Sequence, residues 1–422
     1  MMDDGALDFA KAARDAAYAT PLERVDVGDP ELFRTNAHLP YFERLRREDP
    51  IHFVDSARYG PFWSITRYQD IMDVDINHQA FSSEAFLGGI TIGGQGGPDG
   101  GLPMFIAMDP PKHDAQRKVV SPIVSPSNLA AMEGLIRERA ARILDELPVG
   151  EPFDWVDKVS IELTTQMLAT LFDFPWEDRR KLTRWSDVTT ALPGGGVVDS
   201  WEQKGEELRQ CWDYFTRLWN QRVNAPPKGD LISMLAHGEA TRHMDMREYH
   251  GNVILLIVGG NDTTRNSISG GVVALGQNPD QYDKLRKDPS LIASMVPEII
   301  RWQTPLAHMR RTATQDVEMH GKRIKKGDKV VMWYVSGNRD EAEIENPNAF
   351  IIDRERPRHH MSFGFGIHRC VGNRLAEMQL RVIWEEILAR FPVIEVVEEP
   401  RRVFSCFVQG YERLMVRIPR RY

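Results

Sequence analysis

The 422 residues suffice for one large domain or roughly two to three ordinary ones, and with 42% apolar and 27% charged residues the chain can bury a core, which excludes a disordered or fibrous protein. A net charge of −8 offers no basic footprint for nucleic acid, and three scattered cysteines, Cys211, Cys370 and Cys406, exclude a disulfide framework or a cysteine-rich zinc site. The opening MMDDGALDFAK carries acids where a secretion signal needs a basic segment, and the densest apolar runs, 253–258 and 330–335, fall far short of the roughly 20 residues of a membrane span. A cytoplasmic protein with no membrane anchor is expected.

In chain order, apolar residues recur with helical period over 32–48, 127–147, 159–174, 201–223, 251–276, 289–302 and 374–390. Short strand-like pieces lie between them at 51–54, 62–65, 317–319, 329–334 and 414–418. This predicts a mainly α fold with small β-sheets. GGITIGGQGGPDGG, residues 88–101, holds eight glycines in fourteen positions and neither follows a strand directly nor opens a helix. It therefore reads as a flexible flap near a pocket and not as a dinucleotide loop. LPGGG, residues 192–196, is a second glycine-rich break, expected to flank the same entrance.

The densest chemistry lies in MSFGFGIHRCVGNRLAE, residues 361–377. Cys370 falls near the start of the 374–390 helix, whose free N–H groups favour a thiolate, and Arg369 adds positive charge. Gly364, Gly366 and Gly372 allow tight turns and the approach of something flat, while Phe363 can pack beside the sulfur. Two functions fit: a nucleophile with His368 as its base, or an axial thiolate for a metal. Residues two apart in a loop are poorly placed as nucleophile and base, which favours the ligand. Cys211 and Cys406 read as packing residues.

A second unusual stretch, GGNDTTRNS at 259–267, follows the apolar VILLIV. Gly259 and Gly260 in mid-helix cost about 1 kcal/mol each relative to alanine, which points to a flat partner or a local opening of the helix beside Asp262 and Thr263. His113 and Arg117 lie four apart on one helical face, and Glu298 and Arg301 lie three apart on another.

FGFGIHRCVG, residues 363–372, resembles the haem-binding loop of the cytochrome P-450 superfamily, F-G-x-G-x-H-x-C-x-G. The resemblance implies the cytochrome P-450 fold in a single large domain, 1–422, and haem b (iron protoporphyrin IX) as cofactor. Cys370 would be the thiolate that holds its iron, with Phe363, Gly366, His368 and Gly372 around it. GGNDTT is similar to the superfamily's oxygen-activation signature, with Gly259 beside the cofactor, Thr263 bonding toward dioxygen and Asp262 gating protons. That couple suits a reductive monooxygenase. By the same resemblance His113, Arg117, Arg311 and His368 hold the haem propionates, and Glu298 and Arg301 form a structural ion pair locked by Arg354 or Arg356. It further implies O2 as co-substrate, a monomer, and electrons from a separate ferredoxin fed by an NADH-dependent ferredoxin reductase. The ferredoxin would dock on a basic patch of Lys112, Lys118, Arg358 and Arg369.

GGNDTTRNS, RWQTPLAHMRRTA and FGFGIHRCVGNRLAEMQLRVIWEE together are similar to the bacterial subgroup that hydroxylates the terminal carbon of medium-chain alkanes and fatty acids. The pocket wall would then come from Leu255, Leu256, Val258, Leu306 and Met309, with Phe404 or Phe407, all apolar and suited to an aliphatic guest. Three other readings stay open: a monooxygenase for a terpenoid or steroid, a non-catalytic haem-thiolate sensor, and a Cys–His hydrolase built on Cys370 and His368.

Overall fold

A 32-residue helix, Met246–Gln277, runs through the core of the computed structural model, which describes residues 4–94 and 101–422. It starts earlier than the apolar pattern predicts because Asp245 caps it, accepting the Glu248 N–H at 2.8 Å. Helices Glu162–Phe172, Arg180–Thr190 and Ile292–Gln303 pack against it. A Cβ added to Gly270 would collide with the Gln303 side chain, and one on Gly271 would meet Ile299 Cδ1 at 2.9 Å. These glycines let helix Ile292–Gln303 lie close against the central helix. Between Gly251 and Leu275 only Leu255, Leu256, Val258, Gly259, Gly260 and Thr263 are not buried. On a helix enclosed everywhere else, that stripe marks an internal space.

The expected mainly α fold with small β-sheets is what forms. The largest sheet has five strands in the order Ile51–Ser56, Gly60–Ile65, Lys329–Met332, Met309–Ala313 and Phe81–Ser82. Its second and third strands are parallel and its other pairs antiparallel. Met309–Ala313 has no counterpart among the predicted strands, since MRRTA lacks alternation; it is buried along its whole length because its arginines find partners inside. Arg310 donates to the carbonyls of Leu87 and Gly88, and Arg311 donates to Asp75 at 2.8 Å. Strand alternation then sends Met309 and Arg311 to one face, and both reach the central cavity.

Three predicted elements differ. The helix expected over 32–48 is two, Pro30–Arg34 and Leu39–Glu48, because Asn36 adopts φ 59° and Pro40 fits the first turn of a helix but not its interior. The strand expected over 329–334 ends at Met332, and Tyr334–Gly337 is a helical turn whose Tyr334 hydroxyl donates to Asp75 at 2.8 Å. The 289–302 segment opens as a tight turn, Pro289–Leu291, before helix Ile292–Gln303. Polar helices such as Tyr68–Ile76 and Arg180–Thr190 escaped the periodicity reading. Among the described residues no single helix is long and apolar enough to cross a membrane.

Candidate active site

Helix Asn373–Arg390 begins directly after Gly372, and the Cys370 N–H donates to Phe363 O at 2.8 Å, closing the loop that carries the thiol. Gly364 and Gly366 take φ of 65° and 62°, and a Cβ on Gly366 would meet the Asp75 carbonyl oxygen at 3.0 Å. Side chains are therefore excluded where the loop presses on helix Tyr68–Ile76. Asp75, buried on that helix, organises the contact: one carboxylate oxygen accepts the Phe365 N–H and the Tyr334 hydroxyl, each at 2.8 Å, and the other accepts from Arg311. No local pattern marks Asp75, and it is absent from the sequence-derived site.

The free surface of Cys370 opens into a cavity of about 1050 Å³. Protein crowds the sulfur enough that desolvation pushes the thiol pKa up, against the opposing pull of the Gly372 N–H, of Arg117 and Arg369, and of the Asn373 N–H. The expected stabilised thiolate is thus not supplied by the protein alone. A metal cation at the sulfur would tip that balance. The hydrolase reading fails on geometry: His368 Nε2 pairs with Ser83 Oγ at 2.9 Å, and its Nδ1 has no partner, so neither nitrogen engages the sulfur.

The cavity is also fitted for an anionic ligand near the thiol. His113 and His368 sit edge to face at 4.4 Å, and His113 Nε2 and His368 Nδ1 are buried without a hydrogen-bond partner. Such orphaned groups await a partner that the chain does not contain. Arg117, Arg311 and His368 line the cavity, with Arg117 already donating to Arg369 O, whereas His113 is buried beside His368 and is not part of the lining. An open thiol, two unpaired imidazole nitrogens and two arginines fit haem, with its iron and paired carboxylates.

Gly259, Gly260 and Thr263 line this cavity as well. The helix runs through them unbroken, so the expected local opening does not occur. Gly260 is explained by the protein, since its Cβ would meet Leu168 Cδ2 at 2.8 Å, whereas a Cβ on Gly259 would enter open space. Thr263 Oγ1 donates to Gly259 O at 2.9 Å. Asp262 is directed elsewhere. It is fully buried outside the cavity lining, accepts from Ser186 Oγ at 2.9 Å and Asn261 Nδ2 at 3.1 Å, and pairs with Arg265 at 3.1 Å. Arg265 also holds Asp187 at 2.8 Å. Burial raises the Asp262 pKa, opposed chiefly by Arg265.

Of the expected pocket wall, Leu255, Leu256, Val258, Leu306, Met309 and Phe407 line the cavity, but Phe404 does not. Its ring lies beside the guanidinium groups of Arg34 and Arg58, at 5.3 and 5.9 Å, and packs on Gly195. Residues 90–94 and Leu192 also line the cavity, so both glycine-rich segments border it; residues 95–100 of the expected flap lie outside the described residues.

Glu298 and Arg301 form a buried pair at 2.7 Å, and Arg354 supplies the third member with Nε 2.9 Å from Glu298. Arg356 faces His359 instead, because its position in the turn carries it outward. Two residues of the expected basic patch are neutralised, Lys112 by Glu248 at 2.5 Å and Arg358 by Glu377 at 2.9 Å.

The comparisons with known proteins agree with this geometry. The family model described as Cytochrome P-450 matches residues 203–409. A relative from Pseudomonas putida, linalool 8-monooxygenase, is 37% identical over 94% of this chain and 99% of its own length. Methyl-branched lipid omega-hydroxylase from Mycobacterium tuberculosis is 33% identical over 89% of this chain and 90% of its own. The solved structure of CYP153D17 from a Sphingomonas species superposes with a TM-score of 0.87 at 49% identity, covering 93% of this chain and 98% of that one. Members of the family hold haem b through a cysteine thiolate. Sequence, fold and a cavity shaped around one open thiol therefore place this chain in the cytochrome P-450 family, as a monooxygenase that requires an electron donor.

Proposed function

We propose that this monooxygenase hydroxylates the terminal carbon of a medium-chain aliphatic substrate, an alkane or a fatty acid, with electrons from a separate ferredoxin and its NADH-dependent reductase. The observation that carries the reading is that the Cys370 thiol, the Thr263 hydroxyl and a mainly apolar wall meet in one cavity. The names of two relatives, a lipid omega-hydroxylase and a linalool 8-monooxygenase, support oxidation near the end of an apolar chain.

Cys370 would hold the iron, and His113, Arg117, Arg311 and His368 would hold the propionates through the unpaired nitrogens and guanidinium groups described above. When bound, the haem supplies the oxygen chemistry: O2 is reduced by two electrons, one oxygen atom enters the C–H bond and the other leaves as water. The chain's own residues govern protons and orientation. Thr263 offers a hydroxyl at the cavity wall, held in one orientation by Gly259 O. Asp262 stands behind it as a proton source reached only through movement of its partners Arg265, Ser186 and Asn261. Leu255, Leu256 and Val258 on the central helix, with Leu306, Met309 and Phe407, exclude water and present an extended chain end-on. Orientation of this kind is required if a strong terminal C–H bond is to react before weaker internal ones.

The test is product analysis with ferredoxin, reductase and NADH on octane and dodecanoate. Octan-1-ol and 12-hydroxydodecanoate are expected. Subterminal alcohols as the main products, or NADH use independent of either substrate, would refute the terminal reading.

A further inference from the structure

His308 is fully buried and its ring lies outside the cavity lining, although Leu306 and Met309 on either side of it face the cavity. Its Nδ1 lies 2.8 Å from Cys406 O, and its Nε2 accepts the Ile92 N–H at 3.0 Å. A carbonyl can only accept and a backbone amide can only donate, so the proton sits on Nδ1 and the free lone pair on Nε2. Burial pushes the His308 pKa down to about 4, against the opposing pull of the Cys406 carbonyl, and so keeps the ring in this neutral form. Trp333 and Phe407 hold the ring from its sides, with centroids at 4.9 and 5.2 Å.

The two partners are far from His308 in sequence, 216 residues for Ile92 and 98 for Cys406, and both belong to the cavity wall. Ile92 lines it with residues 90–94, and Cys406 lines it with Ser405 and Phe407. Backbone bonds seat the near ends of these segments, since the Arg310 N–H donates to Ile90 O and the Ala307 N–H to Phe407 O, each at 2.8 Å. The imidazole then ties one segment to the other. Without its nitrogens a buried N–H and a buried C=O would lose their partners, and each segment would shift to reach water. Ile92 and Phe407 would move with them, which alters the width of the cavity. We propose that His308 is a specificity-determining positioning residue: by holding Ile92 and Cys406 at a fixed separation it sets how a guest chain lies along the wall, and hence which carbon is oxidised. This rests on the reading above that the guest is an apolar chain oxidised at one preferred carbon.

Three variants of the haem-loaded full chain separate the two bonds. His308→Phe keeps a ring and loses both. His308→Asn puts an amide N–H near the place of Nδ1 but is too short for Ile92, whereas His308→Gln puts an amide oxygen near the place of Nε2 and can keep Ile92. Hydrogen exchange at the Ile92 amide should speed up by about tenfold or more in His308→Phe and His308→Asn and stay within about threefold of wild type in His308→Gln, with helix Met246–Gln277 unchanged in all three. With ferredoxin, reductase and NADH on octane and dodecanoate, the ratio of the main alcohol to its positional isomers should fall by about fivefold or more in His308→Phe and by less in His308→Gln. An unchanged product ratio in a His308→Phe protein whose Ile92 amide has lost protection overturns the proposal. So does an Ile92 amide that stays protected in both His308→Phe and His308→Asn, or a loss of protection that spreads through the central helix. Where His308→Phe does not fold, the contrast between His308→Asn and His308→Gln decides in the same way. A wild type whose main alcohol is subterminal refutes the terminal reading and leaves His308 to be judged by the same ratio, while a wild type with no preferred carbon overturns both.

Discussion

Arg354 reaches back across 56 residues of chain to Glu298 and donates to Oε2 at 2.9 Å, closing a buried ion pair onto the segment before the cysteine loop. Arg301, fully buried, spends its remaining donors on the carbonyls of Asn338 and Pro347 at 2.9 and 2.8 Å. One carboxylate thus fixes two arginines and, through them, the backbone at Asn338, Asn346, Pro347 and Ala349.

Glu298→Gln should therefore cost about 3–5 kcal/mol of stability, because it strands two buried cations, whereas Arg356→Ala should cost less than about 1 kcal/mol. Urea unfolding followed by circular dichroism measures both. Equal losses would mean that Arg356, not Arg354, completes the lock.

Thr263→Ala should leave substrate binding and the reduced carbon monoxide spectrum intact but lower product formed per NADH by about tenfold, with the missing electrons appearing as hydrogen peroxide. The hydroxyl that is lost is fixed on the cavity wall by the Gly259 carbonyl four residues back. Unchanged coupling removes Thr263 from proton delivery.

Asp262→Asn should reduce kcat by about tenfold or more with little change in KM, since the carboxylate lies outside the cavity lining and touches no guest. A rise in KM with kcat preserved would place Asp262 in substrate binding instead.

The three thiols should differ in chemistry. Cys211 and Cys406 are buried at 0% and 2% exposure; desolvation raises the first and pushes the second up to about 12, so neither should alkylate in the native protein. Cys370 opens into the cavity, so haem-depleted protein should label there alone and haem-loaded protein nowhere. Mass spectrometry after iodoacetamide treatment reads the outcome, and labelling of Cys370 with haem bound would contradict its role as ligand.

The cysteine loop and the Glu298–Arg301 pair were legible because their geometry is set by residues within one turn or one loop, whereas at GGNDTT the expected opening of the helix does not form and Asp262 lies outside the cavity lining. Phe404 and Phe407 were not separable, since only the fold decides which of two rings faces the cavity and which lies beside Arg34 and Arg58. Asp75 was invisible for a similar reason: its partners Arg311 and Phe365 stand 236 and 290 residues away, and no spacing rule reaches that far. The buried strand Met309–Ala313 defeated pattern reading because two paired arginines occupy positions where alternation expects apolar residues.

All of this turns on which atom holds the iron. The most direct measurement is the carbon monoxide difference spectrum of the reduced protein, wild type beside Cys370→Ala. A Soret band near about 450 nm that vanishes in the variant is expected of a thiolate ligand. A wild-type band at the shorter wavelength of imidazole-ligated haem, or a variant that keeps the wild-type band, would contradict the assignment of Cys370.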